Sequence, residues 1–172
     1  MSDKCGMNAE EVLQLMKNRR SIRKFKPDPI EDEKIEKILE AARWCQSASN
    51  RQPWRFIIIK NKEIISKLQS AAKFGGFVAD APVVVAIIAD KKRSPNWYIH
   101  DTSMASHQMC LMAWALEIGT CWIGSMDREK AAAILELDKD EYVTTILPFG
   151  YFYTKPSTGS RKDLKNMITT IE

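Results

Sequence analysis

The chain has 172 residues, enough for one domain whose hydrophobic core needs no disulfide or metal to hold it together. Its 45% hydrophobic and 28% charged residues argue against a disordered chain and a membrane protein, and the longest uninterrupted apolar run, Met109 to Leu116, is far too short to span a bilayer. The net charge of +4 is mild, and Lys and Arg are interspersed with carboxylates, so nucleic acid is not an expected partner and a small phosphate-bearing ligand fits at least as well.

Asn8 is placed to cap a first helix with Glu11 reaching back, and Val12, Leu13 and Met16 repeat at helical spacing as far as Asn18. Pro27 and Pro29 keep the next stretch extended, after which Ile35, Ile38, Leu39 and Ala42 predict a second amphipathic helix from about Glu31 to Cys45. Phe56-Ile57-Ile58-Ile59 reads as a buried strand. The helix after it takes its apolar face from Ile64, Ile65 and Leu68, with Gly75-Gly76 as its stop before Pro82 and a second strand, Val83 to Ala89.

A polar loop, Lys91 to Asn96, leads into a long helix from Trp97 to Ile118, closed by Gly119. Its second half is apolar nearly all round, so it should be buried on several sides, as a central helix packed also against a partner subunit would be. Thr120 to Ile123 is a third strand candidate, Asp127 caps another helix to about Leu137, and Tyr142 to Tyr153 supplies the last strand. No repeat, low-complexity stretch or linker divides the chain, so a single domain over residues 1–172 is expected.

Met1-Ser2-Asp3-Lys4-Cys5-Gly6 has no apolar signal core, so a cytoplasmic location with reduced thiols is expected. Cys5, Cys45, Cys110 and Cys121 lack metal-site spacing, and the last three sit among apolar neighbours as small hydrophobes. His100 and His107 lie roughly 10 Å apart along a helix axis, too far for both to hold one ion, so no metal is expected.

Arg19-Arg20-Ser21-Ile22-Arg23 concentrates guanidinium and hydroxyl donors suited to a phosphate and a polarisable ring carbonyl, although cations at a helix C-terminus also complement its dipole. In an extended stretch alternate side chains point the same way, so Ser21 and Arg23 share one side. Ser47-Ala48-Ser49-Asn50-Arg51-Gln52-Pro53-Trp54 reads either as an ordinary polar loop before a strand or as a place where amides meet a heterocycle with alternating donors and acceptors. In Cys121-Trp122-Ile123-Gly124-Ser125 an apolar strand ends in a glycine that either makes a turn or lets backbone approach a ligand; Ser160-Arg161-Lys162 alone is a solvated basic tail.

The order Arg-Arg-Ser-x-Arg, Ser-x-x-Asn-x-Gln-Pro-Trp, Trp-Ile-Gly and Leu-Pro-x-Gly-Tyr resembles a compact member of the nitroreductase family over almost the whole chain. The resemblance implies an α+β fold with a mixed sheet flanked by helices, built as an intertwined homodimer with FMN sites at the subunit interface. It implies that Arg19 and Ser21 hold the phosphate and ribityl chain, with Arg20 nearby and Arg161 completing the phosphate clamp. Arg23 would reach the pyrimidine end of the ring, where a cation stabilises negative charge on the flavin. Ser47, Asn50 and Gln52 would come from the other subunit, and the backbone of Ile123 and Gly124 would lie beside flavin N5.

The implied activity is ping-pong transfer of electrons from NAD(P)H to a small electron-poor acceptor such as a nitroaromatic or quinone, with no acid-base residue supplied by the protein. Larger members carry a long helical excursion where this chain has only Asp90 to Trp97, which makes an open site the expectation. The same motifs serve a flavin store or sensor that does not turn over. A flavin-free module binding nucleic acid is disfavoured by the dispersed charge.

Overall fold

The computed structural model describes residues 8–172, so the calls on Cys5 and the first residues lie outside it. Helix α1 (Ala9–Asn18) starts where Asn8 Oδ1 accepts the Glu10 N–H at 3.0 Å. After α2 (Asp32–Arg43) come β1 (Trp54–Ile59), α3 (Lys62–Gln69), β2 (Val83–Asp90), α4 (Tyr98–Ala115), β3 (Gly119–Thr120), α5 (Arg128–Ile134) and β4 (Glu141–Gly150). Asn61 caps α3 and Asp127 caps α5 through side-chain oxygens, satisfying backbone donors that the first helical turn leaves open. No helix among the described residues is long and apolar enough to cross a membrane.

The strands form one sheet in the order β1-β2-β4-β3 with antiparallel pairing between all named neighbours. Its parallel component is a single bridge between Ser21 and Thr120. Every residue of β2 from Val83 to Ala89 is buried because both faces of the sheet are covered. Alternation assigns Val84, Ala86 and Ile88 to one core with Ile65, Leu68 and Ala131 of α3 and α5. Val83, Val85 and Ile87 join Ile35, Ile38, Met109 and Ala113 of α2 and α4 in the other. The fold is therefore helices, sheet, helices, an α+β arrangement.

Tyr151, just after β4, buckles the sheet to the start of α2. Its hydroxyl donates to Glu31 and accepts from Lys34 at 2.5 Å, while the Lys34 ammonium lies 4.9 Å from the ring centroid. The Tyr151 hydroxyl, a backbone N–H and Lys34 together lower the Glu31 carboxyl to about 2.

The bounds of several elements differ from expectation. Helix α3 ends at Gln69 in a tightened turn, well before Gly75-Gly76; Gly75 is needed instead because a Cβ there would come within 2.4 Å of Ala72 Cβ. Helix α4 ends at Ala115 and not at Ile118, and Glu117, with a left-handed φ of 60°, follows its end where Gly119 was expected to close it. Gly119 already belongs to β3, where any Cβ would meet Ile22 at 2.8 Å. Strand β3 covers Gly119–Thr120 only, because Cys121 to Gly124 leave the sheet to line a pocket. The α5 and β4 segments are likewise shorter than expected, ending at Ile134 and Gly150.

The long helix α4 divides its apolar surface. Ala105, Met109 and Ala113 are fully buried, whereas Leu111, Met112 and Ala115 line an open groove of about 510 Å³ with Leu15, Ala41 and Trp44. The all-round apolar pattern thus corresponds to one face spent on the chain's own core and another left uncovered by it.

Candidate active site

The basic cluster follows α1 directly and runs beside β3. Ile22 donates its N–H to Thr120 O at 2.9 Å and buries its side chain, so Ser21 and Arg23 fall on the opposite side of the chain. Cys121 marks where they converge. Burial raises its thiol pKa, and the Arg23 cation, the Ser21 hydroxyl and the Arg19 cation each pull it back without overcoming that. Cys45 and Cys110 are also free and buried, with burial pushing Cys110 up to about 12, so these thiols behave as the small hydrophobes expected. No cluster of metal-ligating side chains occurs among the described residues.

Arg23, Cys121, Trp122, Ile123, Gly124 and Ser125 share one cavity of about 200 Å³ with Phe74, Gly75 and Phe77. The Arg23 guanidinium lies 5.9 Å from the centroid of the Phe77 ring. Among the described residues neither Arg19 nor Arg23 has a carboxylate within salt-bridge distance, although cations elsewhere, such as Arg55 with Glu141, are paired. The Thr120 hydroxyl, on the adjoining strand, is buried without a hydrogen-bond partner.

Gly124 differs from the packed glycines. A Cβ there would meet nothing nearer than the Trp122 ring at 3.8 Å, so the chain's own packing does not demand a glycine at this position. Its peptide is fixed from behind: Thr145 Oγ1 donates to Ile123 O at 3.0 Å, and Arg128 donates to Gly124 O at 3.3 Å. Unpaired cations beside an exposed, rigid glycine backbone fit a ligand with an anionic end and a flat polar ring.

Arg20 is turned the other way. It is 8% exposed, and its guanidinium donates to Lys17 O, Arg19 O and Thr158 Oγ1, tying the end of α1 to the C-terminal segment. Its guanidinium nitrogens with partners are thus engaged by protein, which leaves it a structural hold beside the cluster. Arg161 follows just beyond Thr158 and is exposed, bonding only the carbonyls of Gly159 and Ser160. The chain therefore passes its C-terminal segment by the cluster without itself placing Arg161 on Arg19.

Ser47, Asn50 and Gln52 lie elsewhere. Ser47 Oγ accepts the Gln52 N–H at 2.9 Å, and Gln52 Nε2 donates to Asn50 Oδ1 at 3.1 Å. Gln52 lines a separate cavity with Pro53, Trp54, Arg93 and Glu141. No hydrogen bond or cavity among the described residues joins this loop to Arg23 or Gly124. Ser49, Asn50 and Gln52 have φ of 51°, 53° and 48°, left-handed values that cost non-glycine residues about 1 kcal/mol or more each. Asp101 and Arg93, which hold this loop, and Ser94, which holds Asp101, were not singled out by sequence reading; the two contacts to the loop span more than forty positions and leave no local pattern.

The family model described as the nitroreductase family matches residues 16–74 and 69–151. The chain belongs to the nitroreductase family. A provisionally assigned NADH dehydrogenase/NAD(P)H nitroreductase of Archaeoglobus fulgidus is 35% identical over 149 residues, covering 83% of this chain and 86% of that one. Among solved structures, an FMN-dependent nitroreductase from Clostridium difficile R20291 is 31% identical with a TM-score of 0.83, covering 92% of this chain and 98% of that one. A provisionally assigned nitroreductase from Desulfovibrio desulfuricans, solved in complex with FMN, is 28% identical with a TM-score of 0.85, covering 96% and 98%. The α+β nitroreductase fold expected from the motif order is thus the fold observed, and the chemistry of this family is oxidoreduction.

Proposed function

We propose that this nitroreductase-family protein is an FMN-dependent oxidoreductase that moves electrons from a reduced nicotinamide to an electron-poor acceptor such as a nitroaromatic or quinone. The observation that carries the reading is the pocket where unpaired Arg23 faces the exposed backbone of Gly124. An FMN held there would supply the redox chemistry, hydride acceptance from the donor and electron delivery to the acceptor in separate half-reactions.

The chain's own residues bind, orient and polarise. Arg19 and Ser21 hold the phosphate and ribityl end, with Arg161 reaching the phosphate from the C-terminal segment. Arg20 contributes by fixing that segment through Thr158. Arg23 stands over Phe77 and favours negative charge at the pyrimidine end of the ring. Thr145 and Arg128 keep the Ile123 and Gly124 peptides in place beside the reacting edge.

Ser47, Asn50 and Gln52 face away from this pocket within one chain, which supports a homodimer in which each copy lends its loop to the other's site. The uncovered groove of α4 and the exposed Leu164, Met167, Ile168 and Ile171 of the C-terminal segment support the same assembly.

The test is the absorbance spectrum of the purified protein with the released chromophore identified by mass, followed by anaerobic NADH or NADPH and then a nitro compound. Stoichiometric FMN that bleaches and recovers is the expected result. FMN that binds without bleaching by either donor makes the protein a flavin carrier, and a colourless protein that fails to bind added FMN removes the reading.

A further inference from the structure

The strained loop Ser47–Gln52 does not hold itself in place. Asp101, in the first turn of α4, is 2% exposed, and its carboxylate has no Lys or Arg partner among the described residues. One oxygen, Oδ1, accepts the Ala48 N–H at 3.0 Å, and the other, Oδ2, accepts the fully buried Ser94 hydroxyl at 3.1 Å. The helix N-terminus supplies positive dipole to the buried charge. At the far end of the loop, Arg93 Nε donates to Arg51 O. The short Lys91 to Asn96 connection and the start of α4 thus grip both ends of the segment that carries Ser49, Asn50 and Gln52 in left-handed backbone. Asn50 and Gln52 keep their side chains bonded to each other and outside this grip.

We propose that Asp101 is a positioning residue for the flavin-facing loop: its buried carboxylate, bridging Ser94 to Ala48, preorganises Ser47, Asn50 and Gln52 for the ring. The inference rests on the reading that this loop borders FMN. A carboxylate suits the place because both of its oxygens accept, whereas the groups it meets are a backbone N–H and a hydroxyl that donates. An Asn keeps one acceptor for Ala48 and offers its amide to the Ser94 oxygen, so the bridge survives. An Ala removes it and leaves the half-buried Ala48 N–H without its protein partner. The short Lys91 to Asn96 connection then serves as a brace.

The experiment compares Asp101→Ala, Asp101→Asn and Ser94→Ala with the native dimer, reading FMN affinity by titration, the visible circular dichroism of bound flavin, and amide exchange at Ala48 and Gln52 without flavin. Asp101→Ala should bind FMN about tenfold more weakly, change the dichroism and speed Ala48 exchange by about tenfold. Asp101→Asn should stay within about twofold of native on each, and Ser94→Ala should fall between them; this order is read from the last two alone if Asp101→Ala does not fold. Unchanged exchange in Asp101→Ala, or in Ser94→Ala if that variant must stand in, overturns the brace. Faster exchange with native FMN affinity and dichroism overturns its role toward the ring. A native protein that binds no FMN, with exchange still accelerated, overturns the flavin reading and this role with it but leaves the Asp101 contact standing.

Discussion

The arginine pocket and the Ser47–Gln52 loop are built on opposite plans. In and beside the pocket the backbone is relaxed and the side chains are unspent: Arg23 and the neighbouring Arg19 lack carboxylate partners among the described residues, and Gly124 leaves open space. In the loop the backbone is strained and the polar groups are largely spent on one another and on Asp101. One region offers charge with little shape, and the other offers shape with little free charge. In the proposed site a flavin uses both, and the described residues of a single chain do not bring them together.

The largest effect should come from separating the regions onto different copies. A variant carrying Arg19→Ala and Arg23→Leu and another carrying Asn50→Ala and Gln52→Ala should each bind FMN poorly. Random subunit exchange between equal amounts of them should restore about a quarter of the native FMN sites, because about half of the dimers become mixed and one of the two sites in each mixed dimer regains both intact regions. Flavin fluorescence after mixing measures this, and no recovery would mean that both regions act within one chain.

Gly124→Val tests the open space in the pocket. Its Cβ has room in the chain, so thermal unfolding should shift by no more than about 0.5 kcal/mol while FMN binding is lost. Gly150→Ala, outside the pocket, should do the reverse. Its Cβ would sit 2.9 Å from Phe25 and Pro82, which predicts a cost of about 1–3 kcal/mol in stability with FMN affinity kept.

Arg23→Leu alone should weaken FMN binding by about tenfold or more, the value of one charge-assisted contact, and lower the flavin's reduction potential while the dimer persists. Unchanged affinity and potential would remove Arg23 from the site.

The smallest effect belongs to the Tyr151 buckle, which lies outside both regions. Glu31 titrates near 2 in the folded chain instead of 4.5, so its stabilisation is complete above about 4.5 and disappears as pH falls toward 2. Tyr151→Phe should remove most of that shift. The native and variant melting curves should therefore differ at neutral pH and converge through this acid window, with FMN affinity at pH 7 unchanged.

Local signals carried most of the fold. Asn8 and Asp127 announce helix starts because capping is decided within a few residues, and the apolar run of β2 announces a strand covered on both faces. Chain ends of elements were less legible. Gly119 and Gly75 looked like stops, yet Gly119 answers Ile22, a contact made only once the tertiary structure exists, and Gly75 answers Ala72 in a turn that follows the helix. The site divides in the same way. Spacing placed Ser21 and Arg23 on one side of an extended segment, whereas nothing nearby in sequence distinguishes Arg20, which tertiary burial turns toward Thr158. Asp101 was invisible for that reason too.

The exposed apolar side chains of the C-terminal segment also bear on the life of the chain before assembly. Leu164, Met167, Ile168 and Ile171 stay exposed within one chain, Ile171 by 94%, after the sheet has closed. Under the proposed dimer, a copy that has not yet met its partner displays these side chains to solvent. Its residence time in that state falls as more copies accumulate. Low expression would leave such chains to chaperones and proteases, and the yield of finished protein should rise more steeply than the rate of translation.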